Sequence, residues 1–121
     1  AFQRAADIER VLHTGQAARA GFWQFDAESL RRMIGEAQRT GHALNDGRIV
    51  GAMAAIGVPV RDRDGRAVAA LSIAAIRERM ASPRDQELVA LLRTEADDLA
   101  RLLEDRPAAS GGRERKKEEQ F

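Results

Sequence analysis

The sequence predicts an α+β fold, an antiparallel β-hairpin with helices packed around it, in the order helix, helix, hairpin, long helix. Three observations carry this. Two apolar runs, residues 49–60 and 67–76, are joined by the polar segment "RDRDGR", in which Asp64-Gly65 is a hairpin signal. In "AESLRRMIGEAQRT", Leu30, Met33, Ile34 and Ala37 recur at i, i+3, i+4 and i+7 with charges off the stripe, the mark of an amphipathic helix. Between Pro83 and Pro107, eight apolar residues from Leu88 to Leu103 form a broad helical face.

The elements follow in chain order. Ile8, Val11 and Leu12 sit at helical spacing and Gly15 is a natural stop, so residues 6–13 read as a short helix. "GFWQF", residues 21–25, is too short to establish alternation and reads as an aromatic loop covering the core, with an edge strand as the alternative. Asp26 can cap the next helix and Gly41 ends it. Gly35 inside it costs roughly 1 kcal/mol relative to Ala, which points to close approach by a neighbour. "HALNDGR" carries turn chemistry and reads as a loop.

The first apolar run, "IVGAMAAIGVPV", reads as a strand of unusually small side chains, a surface that admits a closely packed helix or a ligand. In the second, "AVAALSIAAI", both faces are apolar, so a central strand covered on both sides is expected. Ser82, Pro83 and Asp85 then give an S-x-x-D start for the long helix, which runs to about residue 104. Residues 1–106 form one folded unit on this reading, and the small, charged stretch 107–121 is a disordered tail. A two-stranded hairpin is marginal in water, so more sheet is needed: either "GFWQF" supplies a third strand or the missing strands lie upstream, and the upstream source is preferred.

Composition excludes several functions. Without cysteine there are no disulfides, thiolate metal sites or cysteine nucleophile. No apolar run approaches the ~18 residues of a membrane span, so a cytoplasmic protein is expected. Residues 1–106 balance 16 basic against 16 acidic side chains, with no basic stripe for nucleic acid.

No base and nucleophile stand together. His13, at the end of the first helix, and His42, after the second, read as exposed residues at helix C-termini. Asp97 and Asp98 read as a solvated face. Asp62, Asp64 and Gly65 lack the remaining ligands of a calcium loop, so neither metal nor cofactor is expected, and the chain does not read as an enzyme. Phe22, Trp23 and Phe25 read as core cover or dimer contact, or as a stacking wall for a ligand. Ser72, a lone hydroxyl in an apolar strand, reads either as a small core residue bonded to a backbone carbonyl or as a contact to a ligand.

The helix, "RTGHALNDGRIV", the small-residue strand, "PVRDRDGRAVAALSI" and "SPRDQELVALLRTEADDLARLL" come in an order that resembles the C-terminal effector-binding domain of IclR-family transcriptional regulators. The resemblance covers roughly residues 1–104 and is most specific from 59 to 72. It implies a GAF-like antiparallel sheet flanked by helices, of which this chain holds the C-terminal portion. It also implies a small organic effector bound against the sheet, dimers or tetramers, and DNA binding through a winged helix-turn-helix outside this chain.

Carried over by position, the family's acidic loop residue falls on Asp46, and a strand cysteine of several members falls on Ala55. The first serine of an S-x-S-G-P pattern falls on Ser72 and the second on Ala74. Candidate effector contacts are therefore Asp46, Met53, Ala55, Ser72 and Ala74. The alternative is a dimerisation or protein-interaction module without a ligand, built on the long helix.

Overall fold

A computed structural model of the chain describes residues 1–15 and 26–105. Helix α1 spans Ala5–Thr14 and α2 spans Ala27–Thr40. Strands β1 (Ala43–Asp46), β2 (Met53–Arg61) and β3 (Ala67–Ile76) follow, then a 3-10 turn at Arg77–Met80 and helix α3 at Arg84–Glu104. The strands form one antiparallel sheet in the order β1-β2-β3.

The middle strand carries the core because it alternates cleanly. Ala54, Ile56, Val58 and Val60 are buried, whereas Ala55, Gly57 and Pro59 between them are partly open. Helix α3 lies along the buried face. Val89 packs with Ala54, Ile56 and Met80, and Ala96 packs with Val58 and Val60. Leu92 touches both groups and joins them into one layer. The lengths match: 21 helical residues extend about 31 Å at 1.5 Å per residue. Nine strand residues extend about 30 Å at 3.4 Å each. One helix therefore covers the whole inner face of β2.

The helix ends show why the elements stop where they do. Asp26 accepts a hydrogen bond from the Ser29 backbone N–H at 2.7 Å, the expected cap of α2. Gly41 closes that helix in the left-handed region at φ 81°, with its N–H on the Ala37 carbonyl. The same side chain, Asp26, is held below the usual carboxylate range, first by that backbone hydrogen bond. Helix α1 docks on α2 through Arg31, which donates two hydrogen bonds to Glu9 at 3.2 and 2.9 Å.

Five features differ from the sequence reading. The third strand of the sheet is β1, inside the segment read as a loop. Asn45 does make turn chemistry, its Oδ1 accepting from the Arg48 N–H at 3.2 Å, but from within the strand. The run 49–60 is strand only from Met53; before it Met53 N–H closes a turn on the Val50 carbonyl. Strand β3 is the edge of the described sheet rather than central. Val68, Ile73 and Ile76 on it are exposed, because α3 lies over β2. No side-chain cap starts α3; Asp85 Oδ1 accepts from the neighbouring Gln86 N–H instead. Finally, a Cβ at Gly35 would meet nothing within 4 Å, so no close approach explains that glycine. "GFWQF" and the charged tail lie outside the described residues.

The hairpin forms as read, with Asp62 as its organiser. Its Oδ1 accepts from the N–H groups of Asp64 and Arg66 at 3.0 and 2.9 Å, while its own N–H donates to the Arg66 carbonyl. Gly65 takes the left-handed conformation at φ 76°. Arg63 then ties the turn to the end of α3 through Glu104 at 2.6 Å.

Candidate functional site

Antiparallel pairing puts directly opposed residues on one face of a sheet. Met53 pairs with Ile76, Ala55 with Ala74, Gly57 with Ser72 and Pro59 with Ala70. Strand β1 adds Asn45 beside Ala55 and Ala43 beside Gly57. All lie on the face turned away from α3. The result is a floor of four rows, about 7 Å apart along the strands, built from small side chains with Met53 and Ile76 at one end.

Four of the five candidate residues, Met53, Ala55, Ser72 and Ala74, thus share one surface. Asp46 does not join them. It pairs with Ala54, which alternation assigns to the opposite face, and its carboxylate is held by Arg77 at 2.6 Å. That ion pair ties the end of β1 to the end of β3. Ser72 is exposed rather than buried, so its hydroxyl carries no unmet desolvation cost and does not need a backbone partner. Its Cβ lies 3.8 Å from where a Cβ on Gly57 would stand, so the glycine leaves the space beside the hydroxyl open.

Over the Gly57 and Pro59 end of this floor lies a cavity of about 380 Å³, lined among others by Phe2, Ala43, Gly57, Pro59, Val68 and Ala70. Its wall is the chain's first three residues, held by Gln3 Nε2 donating to the Ala67 carbonyl at 3.1 Å and Gln38 Nε2 donating to the Ala1 carbonyl at 2.9 Å. The sequence reading missed Phe2, Gly57 and Pro59 here. Alternation in "AAIGVPV" puts Gly57 and Pro59 beside Ala55 on the small-residue face; Phe2 leaves no signal, since only the fold carries it there.

The floor is nearly free of charge. Its polar side chains are Ser72 and Asn45, whose Oδ1 is already used by the Arg48 N–H. Two cations near it are committed: Arg77 to Asp46, and Arg61 to the Gly65 carbonyl at 2.8 Å with its guanidinium 4.9 Å from the Phe2 ring centroid. Such a surface can bind an apolar body and make one or two neutral hydrogen bonds. Among the described residues no group of three or more His, Asp or Glu side chains is placed to hold a metal ion, and no helix is long and apolar enough to cross a membrane.

Known proteins match this arrangement. The family model described as bacterial transcriptional regulator IclR C-terminal matches residues 1–101. The repressor BlcR of Agrobacterium tumefaciens is 30% identical over 61% of this chain and 30% of its own, with a TM-score of 0.56. An IclR homolog from Microbacterium sp. strain HM58-2 is 26% identical over 88% of this chain and 42% of its own, with a TM-score of 0.67. The IclR of Thermotoga maritima shares the fold at a TM-score of 0.72 and 19% identity, over 84% of this chain and 42% of its own. The chain therefore spans less than half the length of each of these three structures. No curated protein is significantly similar to it. With a family match over residues 1–101 and an antiparallel sheet shared with these regulators, the chain belongs to the IclR C-terminal domain family of bacterial transcriptional regulators.

Proposed function

We propose that the chain is the ligand-sensing portion of an IclR-type regulator, and that its effector lies on the outer face of the sheet over Met53, Ala55, Ser72 and Ala74. The observation that supports this most is the floor itself. A small-residue surface left open by the described residues, with the Ser72 hydroxyl on it, is what a mostly apolar ligand site with few polar groups requires. Asp46, tied to Arg77 on the other face, acts as an anchor of the sheet and not as a ligand contact.

A floor whose polar side chains are Ser72 and Asn45 suits a small, mainly apolar effector with a hydrogen-bonding group for Ser72. DNA binding belongs to a separate domain of the regulator, which works in the cytoplasm where its promoter is. Effector binding shifts the regulator between two arrangements that differ in affinity for DNA.

A thermal-shift screen of small metabolites on the complete regulator tests this. Hits should be weakened by Ser72→Ala and abolished by Ala55→Phe, which fills the floor while leaving the inner face untouched. Hits that survive both substitutions would move the effector elsewhere.

A homo-oligomer is the expected assembly. Leu91 and Leu102 on α3 support it, being 57% and 69% exposed on the outer side of a helix whose inner side is fully used. Light scattering of the wild type and of a Leu91→Glu, Leu102→Glu variant checks it.

A further inference from the structure

A second cavity, of about 490 Å³, lies on the other side of the sheet, where the end of α2, strand β1 and the start of α3 meet. Its floor is apolar, formed by Leu44, Ile56 and Val89, while Arg39, His42 and Arg93 stand around it. Arg39 makes no hydrogen bond or ion pair among the described residues. Arg93 uses Nη2 on the Thr40 carbonyl at 2.6 Å, which fixes its guanidinium at the rim and leaves its other N–H groups uncommitted.

His42 is half-buried, not the exposed residue expected from its place after a helix. Its Nδ1 is sealed from solvent with no hydrogen-bond partner. A buried ring nitrogen without a partner is unusual, and it marks the edge of this cavity as polar. Two guanidinium groups and an imidazole ring thus border an apolar floor. The acidic side chain on the lining, Asp85, offsets one of the two positive charges.

We propose that this cavity is a second ligand site, separate from the outer face, for a small organic monocarboxylate. Its carboxylate is held by Arg39 and Arg93 beside the His42 ring, and its hydrocarbon body lies on Leu44, Ile56 and Val89. Planar, fork-like guanidinium donors suit a carboxylate, and the net single positive charge matches one anion. A ligand held this way braces the end of α2 against α3.

The test is a titration of the full chain with hexanoate, followed by amide chemical shifts, with hexanol as the uncharged counterpart. Saturable shifts are expected at Thr40, Gly41 and Ala90 with hexanoate and not with hexanol. Arg39→Gln should weaken hexanoate about tenfold or more, as loss of a charge-assisted hydrogen bond does. That side chain is exposed and unpaired, so the fold should be unaffected. Equal binding of hexanol, unchanged affinity in Arg39→Gln, shifts confined to Gly57 and Ala70, or no saturable shift would each overturn the proposal.

Discussion

Replacing Gly35 with alanine should stabilise the protein, by an amount that follows from the structure. Gly35 lies inside α2 on its exposed side. It borders a shallow groove between α1 and α2 whose lining includes Ile8, Ile34 and Gln38. A Cβ there meets nothing within 4 Å, so the added methyl neither clashes nor gains much burial. What remains is backbone entropy: alanine is favoured over glycine in a helix interior by about 0.8–1.0 kcal/mol. For a folded unit of this size, 1 kcal/mol corresponds to about 4–8 °C in Tm. Circular dichroism at 222 nm through a thermal ramp, or urea titration at unchanged m-value, measures it. A lower Tm would refute the reasoning, because it would mean that a neighbour does approach the helix at Gly35.

The same exchange at Gly41 should have the opposite sign. Its φ of 81° strains any L-residue, and the Cβ would stand 3.1 Å from Arg93 Nη2, so Gly41→Ala should cost about 1–2 kcal/mol in urea titration. Val60 is fully buried against Ala96, and Val60→Ala should cost about 2–3 kcal/mol, whereas Val68→Ala, 55% exposed, should stay within about 0.5 kcal/mol. Asp26, with its carboxyl lowered by the Ser29 N–H, contributes stability that is present above its unfolded pKa and lost as pH falls through the lower folded value. Acid titrations of stability should therefore lose slope below about pH 4 in Asp26→Asn, which still caps but cannot ionise. Asp26→Ala should be weaker already at neutral pH.

Elements with a strong period were legible because one face of each is buried. Helix α2, its cap at Asp26 and its stop at Gly41 follow from spacing and end chemistry alone, the hairpin follows from its turn chemistry, and α3 follows from its apolar spacing although its expected cap does not form. Strand β1 was not legible. Four residues cannot display alternation, and "ALND" has turn-forming side chains that outweigh its strand signal when read locally; only pairing with β2 makes it a strand. The exposure of Ser72 was lost for a related reason. Apolar residues on both faces of β3 say that burial is affordable there, but which strand the long helix covers is set by β2, whose Ile56, Val58 and Val60 bury more area than the alanines of β3. Of the candidate residues, Met53, Ala55, Ser72 and Ala74 share one face of the sheet, as alternation within each run allows. The side of the sheet taken by Asp46 could not be read in this way, since a one-residue difference in register reverses it.

The two faces of the sheet are therefore chemically distinct, and the distinction follows from β2. Branched residues at 56, 58 and 60 alternate with small ones at 55 and 57. The first set fixes α3 and builds the core, and the second leaves the outer face low, uncharged and open. A substitution such as Ser72→Ala should change effector affinity while leaving Tm of the unliganded protein nearly unchanged, within the ~0.5 kcal/mol of an exposed site. If Ser72→Ala instead lowered stability and affinity together, the serine would be packing against a covering element, and the outer face would be an interior surface rather than a binding floor.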